Sequence, residues 1–153
     1  MQKVTGREMI KMASDDNCWS NAVFRVSSES KSIEHISETL DIQPTRYIIK
    51  GESLSKRNPK SKKSEVNLWI LESILSEQDM IESHIEYFIS FLDKKKNSID
   101  KLKDECVFDI ACAYSSANGQ GGFTLCHETL TNLSLYPINL SINLYPPECK
   151  SIY

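Results

Sequence analysis

Apolar and polar positions alternate most regularly in the last third of the chain. From Cys106 to Tyr114, Phe108, Ile110, Cys112 and Tyr114 fall on one face, while Val107, Asp109, Ala111 and Ala113 fall on the other. Period-two alternation of this kind predicts a strand with one buried face. The small residues of the second face would let a helix approach closely. Asn118, Gly119, Gly121 and Gly122 follow, residues suited to the positive φ angles of a reversal, and then Phe123-Thr124-Leu125. The expectation is a hairpin over 106–125 at the centre of a sheet. Ile138 to Tyr145 alternates as cleanly, with Ile138, Leu140, Ile142 and Leu144 inward and Asn139, Ser141 and Asn143 outward.

The preceding segments supply the other elements. Asn21–Ser27 predicts a first strand. Ile33, Ile36 and Leu40 sit at helical spacing behind Ser30 or Ser32 as N-cap, and Pro44 ends that helix. Arg46–Lys50 and Val66–Glu72 predict two strands of an antiparallel pair, joined by a long polar loop. Ser76 is expected to cap a main helix reaching Lys95, with Ile81, Ile85, Phe88, Ile89 and Leu92 as its core stripe. Ile99 and Leu102 belong to a short second helix, and 128–133 to another. The order is β-α-β-β-α-β-β-α-β. It predicts an α+β fold: a mostly antiparallel sheet of about six strands with helices packed on one face. Residues 1–20 are assigned to an N-terminal extension, 21–145 to a single domain and 146–153 to a tail.

Charge changes this picture more than composition does. The net charge is −3, yet six of the 18 basic residues lie between Lys50 and Lys63, beside one acid. From Ser64 to Asp93 there are seven acids and no Lys or Arg. On the main helix Asp79, Glu82, Glu86 and Asp93 fall within about 60° of arc at 100° per residue. This stripe reads either as a solvated face or as a surface for a basic partner. The basic loop has one Arg and no interleaved aromatics, and reads as solvated rather than as a nucleic-acid site.

No catalytic or metal-binding constellation emerges. His35, His84 and His127 have no partner at i+4, and the five cysteines, Cys18, Cys106, Cys112, Cys126 and Cys149, show no C-x-x-C spacing. They are expected to be reduced thiols. Adjacent Cys126 and His127 rarely point together and lack an orienting third group. The glycine cluster joins two predicted strands, whereas a phosphate loop leads into a helix. The apolar runs are too short to span a bilayer, and no signal peptide is visible, so the cytoplasm is expected.

Several short runs resemble a known family. They are Asn21-Ala22-Val23-Phe24-Arg25-Val26, the run Ile36 to Thr45 ending Leu40-Asp41-Ile42-Gln43-Pro44-Thr45, and Lys50-Gly51-Glu52. Trp69, then Gly121-Gly122-Phe123-Thr124-Leu125, and Leu140-Ser141-Ile142-Asn143-Leu144-Tyr145 complete the pattern. Over about 21–145 the chain is similar to the bacterial domain-of-unknown-function family numbered 4279, departing from it in the N-terminal extension and the basic 50–63 loop. The resemblance implies an α+β fold in a bacterial cytoplasmic protein and carries over no catalytic residue or cofactor.

Such proteins resemble immunity proteins in setting: small, acidic, single-domain and without enzyme machinery. The resulting expectation is a non-enzymatic immunity protein, antitoxin-like, that binds and neutralises a cognate bacterial toxin domain. A nuclease of a contact-dependent or polymorphic toxin system is the type of target. Its partner-binding residues would be Asp79, Glu82, Glu86 and Asp93, with Ser115, Ser116, Asn118 and Gln120 at the hairpin tip as second choice. It would touch neither nucleic acid nor membrane directly, and oligomeric state stays open. The alternative is a non-catalytic ligand-binding or regulatory module, which needs a formed pocket.

Overall fold

The structure is a computed structural model and describes residues 18–116 and 119–146. The N-terminal extension up to residue 17, Asn118, Cys149 and the tail from residue 147 lie outside the described residues. Among the described residues, five strands and four helices follow one another as β1 (Trp19–Ser28), α1 (Ile33–Leu40), β2 (Arg46–Ile48), β3 (Asn67–Glu72), α2 (Ile81–Lys94), α3 (Lys96–Leu102), β4 (Val107–Ser115), α4 (His127–Leu133) and β5 (Ile138–Leu144). The strands form one sheet in the order β2-β3-β1-β4-β5. All neighbours are antiparallel except β4 and β5, which run parallel. The class is α+β, as the periodicity predicts.

The core lies between one face of this sheet and the helices. Alternate residues Ala22, Phe24 and Val26 of β1 point into it, with Trp69 and Leu71 of β3 and Phe108, Ile110 and Cys112 of β4. Phe24 is its centre, with ring centroids of Trp69, Phe88, Phe91 and Phe108 all 5.5–6.2 Å away. From α2 the buried side chains are Ile81, Ile85, Phe88, Ile89 and Leu92, the stripe expected from four- and three-residue steps. Trp69 is fully buried, and its indole Nε1 donates to Ser37 Oγ of α1 at 3.0 Å, so the ring's one polar atom is satisfied inside the core.

Helix ends follow local chemistry. Ser32 caps α1 by accepting from the His35 N–H at 3.1 Å, and Asp41 closes the helix in a left-handed conformation (φ 52°) ahead of Pro44. The main helix begins later than Ser76. There the Ser76 N–H donates to Asp79 Oδ2 at 2.8 Å and the Gln78 N–H to Ser76 Oγ at 3.1 Å, which makes a turn rather than a cap. The start of β1 holds this turn in place: Ser20 N–H donates to Glu77 O at 2.9 Å, and Ser20 Oγ to Asp79 O at 2.7 Å. His84 fixes the same turn from within α2. Its Nδ1 accepts from Ser73 Oγ at 2.8 Å, and Nε2 donates to Ser76 O at 3.2 Å.

The expected central hairpin is corrected. β4 forms, but no return strand pairs with it over 119–126, so the sheet has five strands rather than about six. Gly121 (φ 148°) brings the chain back over Tyr114; a Cβ there would come within 3.0 Å of Tyr114 Oη. Tyr114 Oη donates to Gly122 O at 3.2 Å, and Phe123 packs edge-on to the Tyr114 ring at 5.3 Å. Tyr114 belongs to the core-facing register of β4. The returning chain therefore crosses above the sheet, packing Phe123 and Leu125 against the core, and leads into α4. The position beside β4 is taken by β5, paired from Phe108↔Ile138 to Tyr114↔Leu144. A parallel neighbour needs a crossover, which α4 supplies.

The basic loop is solvated, with all six of its cations exposed, but it is not a flexible excursion. Backbone bonds Gly51 N–H to Ser64 O and Leu54 N–H to Lys62 O, and the bridge Ser53↔Lys63, tie its two limbs together. Its cations project from an ordered excursion between β2 and β3.

Candidate functional site: the uncovered face of the sheet

The second face of the sheet carries no helix among the described residues. The register assembles it from odd-numbered positions of β1 and β4. Arg46, Ile70, Arg25, Asp109 and Asn139 form one row across the five strands. Glu72, Val23, Ala111 and Ser141 form the next, and Asn21, Ala113 and Asn143 a third. The small residues of β4, expected to receive a helix, instead floor an open trough of about 640 Å³. Trp19 and Tyr145, with ring centroids 5.8 Å apart, stand at one end, and Arg46 with Glu72 stands at the other.

Charge on this face is largely paired. The Arg25 guanidinium meets Asp109 on the adjacent strand through two parallel contacts, Nε donating to Oδ1 at 2.7 Å and Nη2 to Oδ2. The Asp109 hydrogen bond raises the Arg25 pKa above its ordinary value, against the opposing effect of desolvation. Arg46 Nε pairs with Glu72 Oε1 at 2.9 Å in a more exposed bridge. Two polar atoms, Trp19 Nε1 and Ser115 Oγ, are buried and find no hydrogen-bond partner among the described residues. They face each other in register across β1 and β4.

One wall of the trough is the turn between β3 and α2, contributing Ser73, Leu75 and Glu77. Ile74 on this turn is 81% exposed, the most exposed large apolar residue of the described chain. Glu77 and Asp79 are exposed beside it. The stretch without Lys or Arg thus presents acids at the rim of the bare face.

The acids singled out on the main helix do not form one surface. Asp79 precedes α2 and closes the Ser76 turn. Glu82 is only 5% exposed: its Oε1 accepts from the Cys126 N–H at 2.6 Å and from Thr129 Oγ1 at 2.8 Å, serving as the N-cap of α4 from a neighbouring helix. Glu86 is half-buried midway along α2. Asp93 is exposed and accepts from Tyr136 Oη, just beyond α4. Desolvation and this hydrogen bond push the Tyr136 phenol up to about 12. A stripe of like charge on α2 is thereby used to seat α4, because its carboxylates meet free N–H and O–H donors at both ends of that helix. Glu82 is therefore not available to a partner. Of the second-choice residues, Ser115 and Ser116 are buried, Gln120 is exposed and Asn118 lies outside the described residues.

Other chemistry is sparse. Cys18, Cys106, Cys112 and Cys126 are free thiols. Burial pushes Cys112 up to about 12 and raises Cys106, so both stay protonated and unreactive at neutral pH. Burial lowers the His84 pKa, keeping its ring neutral. Among the described residues no group of three or more His, Cys, Asp or Glu could hold a metal, and no helix is long and apolar enough to cross a membrane.

Sequence reasoning missed Trp19, Asn21, Arg25, Arg46 and Asn143 as a set. The available signal was charge in strand interiors: Arg25 and Asp109 each stand between apolar neighbours within a strand, which marks a face without cover. No curated protein and no solved structure matches the chain. The profile of DUF4279, a domain of unknown function, matches residues 18–147, and the chain belongs to that family.

Proposed function

We propose that the chain acts by binding another protein, in the role of an immunity protein that neutralises a bacterial toxin domain in the cytoplasm. The carrying observation is the face of a five-stranded sheet that no described helix covers, hollowed into a trough walled by Ser73, Leu75 and Glu77, with exposed Ile74 and Asp79 on the same turn. An aromatic pair, small residues and paired charges suit a protein surface more than a reaction: complementary shape with a few anchors is what binding needs. Glu77 and Asp79 suit a partner with a basic rim, such as a nuclease whose groove holds phosphates. The contact surface is thus this face and its 73–79 rim rather than the outer side of α2.

The test is co-expression with a toxin domain from the same operon. The wild-type chain should protect cells and co-purify with the toxin. Ala113→Arg, which fills the trough, and Ile74→Asp, which blunts the rim, should each lower affinity at least tenfold without lowering the melting temperature. Full protection by both variants would remove this face from the interface, and failure of the wild-type chain to bind or protect would remove the immunity reading.

A small-ligand site is the second reading. The trough volume lies within the usual range for such sites, and Trp19 and Tyr145 at one end offer an aromatic wall. A metabolite-library thermal shift abolished by Ala113→Arg would favour it.

A further inference from the structure

The two edges of the sheet differ in a way that points to a second binding surface. β2 is three residues long, carries Arg46 and runs into Lys50 and the basic loop; a very short, charged strand is poorly suited to pairing with another chain. β5, at the opposite edge among the described residues, is seven residues long, Ile-Asn-Leu-Ser-Ile-Asn-Leu, uncharged and without a bulge, and the prolines that bracket it, Pro137 and Pro146, lie outside the paired stretch. Ile142 is 36% and Leu144 74% exposed on the helix side of this strand. Such an edge is a template for another strand.

The sequence of β5 also says which strand fits. Read from either end, its apolar and polar positions are the same. Antiparallel pairing of two copies about Ser141 places Ile138 against Leu144, Asn139 against Asn143, Leu140 against Ile142 and Ser141 against its own equivalent. Every apolar residue then meets an apolar one on the helix side, and every polar residue meets a polar one on the bare side.

The backbone allows this register. The Tyr145 N–H donates to Tyr114 O of β4 at 2.9 Å. By alternation, Asn139, Ser141 and Asn143 direct their backbone groups to β4, while Leu140, Ile142 and Leu144 direct theirs outward. In the Ser141-centred register the outward residues face one another as hydrogen-bonded pairs, and a shift by one residue would set outward groups against inward ones.

We propose that β5 is a homodimerisation edge, pairing antiparallel with β5 of a second copy about a two-fold axis at Ser141. The self-complementary strand satisfies the requirement of a two-fold interface that one patch match itself. The axis stands perpendicular to the sheet, so the two bare faces lie on the same side of one continuous sheet, and all helices lie on the other. This inference rests on the β5 edge and not on the identity of any toxin.

Sedimentation and light scattering of the full chain across a concentration series should give twice the chain mass, dissociating on dilution. Ile142→Lys, or Leu144→Lys at the more exposed position, should give a single-chain mass at the same concentrations with an unchanged circular-dichroism spectrum. Ser141→Cys should form a disulfide-linked dimer under mild oxidation, above the wild-type background. Its two Cα atoms would be about 4.5 Å apart in a non-hydrogen-bonded pair, within disulfide reach. Asn139→Cys should not, because its copies are displaced by about 14 Å along the strands. A single-chain mass for the wild type at every concentration overturns the proposal. So does a dimer that survives both lysine variants or is not trapped through Ser141→Cys.

Discussion

The two faces of the sheet are built from alternate residues of the same strands, yet they do opposite things. On the helix face, Phe24, Trp69, Phe108 and Ile110 are sealed, and even the Trp69 indole N–H has an internal partner. On the other face, the same strands present Asn21, Arg25, Glu72 and Ala113 around a trough. One face holds the molecule together, and no described helix covers the other. Because side chains alternate strictly along a strand, single substitutions one residue apart test the two roles separately.

The largest difference should appear at Trp69. Trp69→Ala removes a fully buried indole and leaves Ser37 Oγ without its donor. We expect a loss of about 3–5 kcal/mol, as for other large aromatic truncations in cores. Urea denaturation monitored by circular dichroism measures it, and a midpoint unchanged within error would mean that the helix face is not the stabilising one.

A second test concerns the seam that α2 makes with α4. Glu82→Ala leaves the Cys126 N–H and Thr129 hydroxyl without an acceptor in a buried site. The expected cost is about 1–3 kcal/mol, with Glu82→Gln cheaper because one acceptor oxygen remains. If Glu82 were a surface acid, the loss would stay within about 0.5 kcal/mol. Hydrogen exchange across 126–133 should rise in the alanine variant before the rest of the fold opens.

The stripe on α2 also shows what the sequence could and could not reveal. Its spacing correctly predicts the buried side, because Ile81, Ile85, Phe88, Ile89 and Leu92 repeat with the helix. A carboxylate at Glu82 looks like any other polar position until α4 is known to arrive there, and that contact spans 44 residues. The return segment after β4 failed for the same reason. Glycines and Phe123 report a reversal, but only Tyr114, on the core side, decides that the chain crosses above the sheet. The trough was legible only in part: Arg25 and Asp109 stand in strand interiors, but their pairing requires the β1–β4 register.

Acid should weaken the helix face through His84. Its folded pKa lies below the ordinary value of 6.5 because burial disfavours the charged ring. The unfolded chain therefore binds more protons than the folded one as pH drops. The stability held by the neutral ring is complete above about 6.5 and is lost as pH falls from there toward the depressed folded value. Unfolding free energies at pH 7.5 and 5.5 measure this slope for the wild type and for His84→Gln. The variant should be less pH-dependent, although less stable at neutral pH; an equal slope would assign the acid sensitivity to carboxylates.

The bare face should respond weakly to loss of its charge pair. Arg25 and Asp109 are bidentate but partly solvated, so a double-mutant cycle with Arg25→Ala and Asp109→Ala should give a coupling of about 0.5–1 kcal/mol. The coupling should shrink as salt is added, since solvent-facing pairs are screened. A coupling of about 3 kcal/mol or more would mean that the pair is as desolvated as a core pair, and that this face is covered in solution.

The smallest effect sharpens the contrast most. Ala22 and Ala113 are the same residue on neighbouring strands, in adjacent register positions on opposite faces: Asn21 pairs with Ala113, and Ala22 with Cys112. Ala22 is buried beneath the helices, where added methyl groups must displace packed neighbours. Ala22→Leu should therefore cost about 1–3 kcal/mol through overpacking. Ala113 borders the trough, where a larger side chain extends into open space. Ala113→Leu should change stability by no more than about 0.5 kcal/mol, while narrowing the trough and weakening whatever binds there. Equal losses at the two alanines in thermal and chemical denaturation would show that both faces are packed against something. Loss at Ala22 alone, with binding lost at Ala113, would confine stability to one face and recognition to the other.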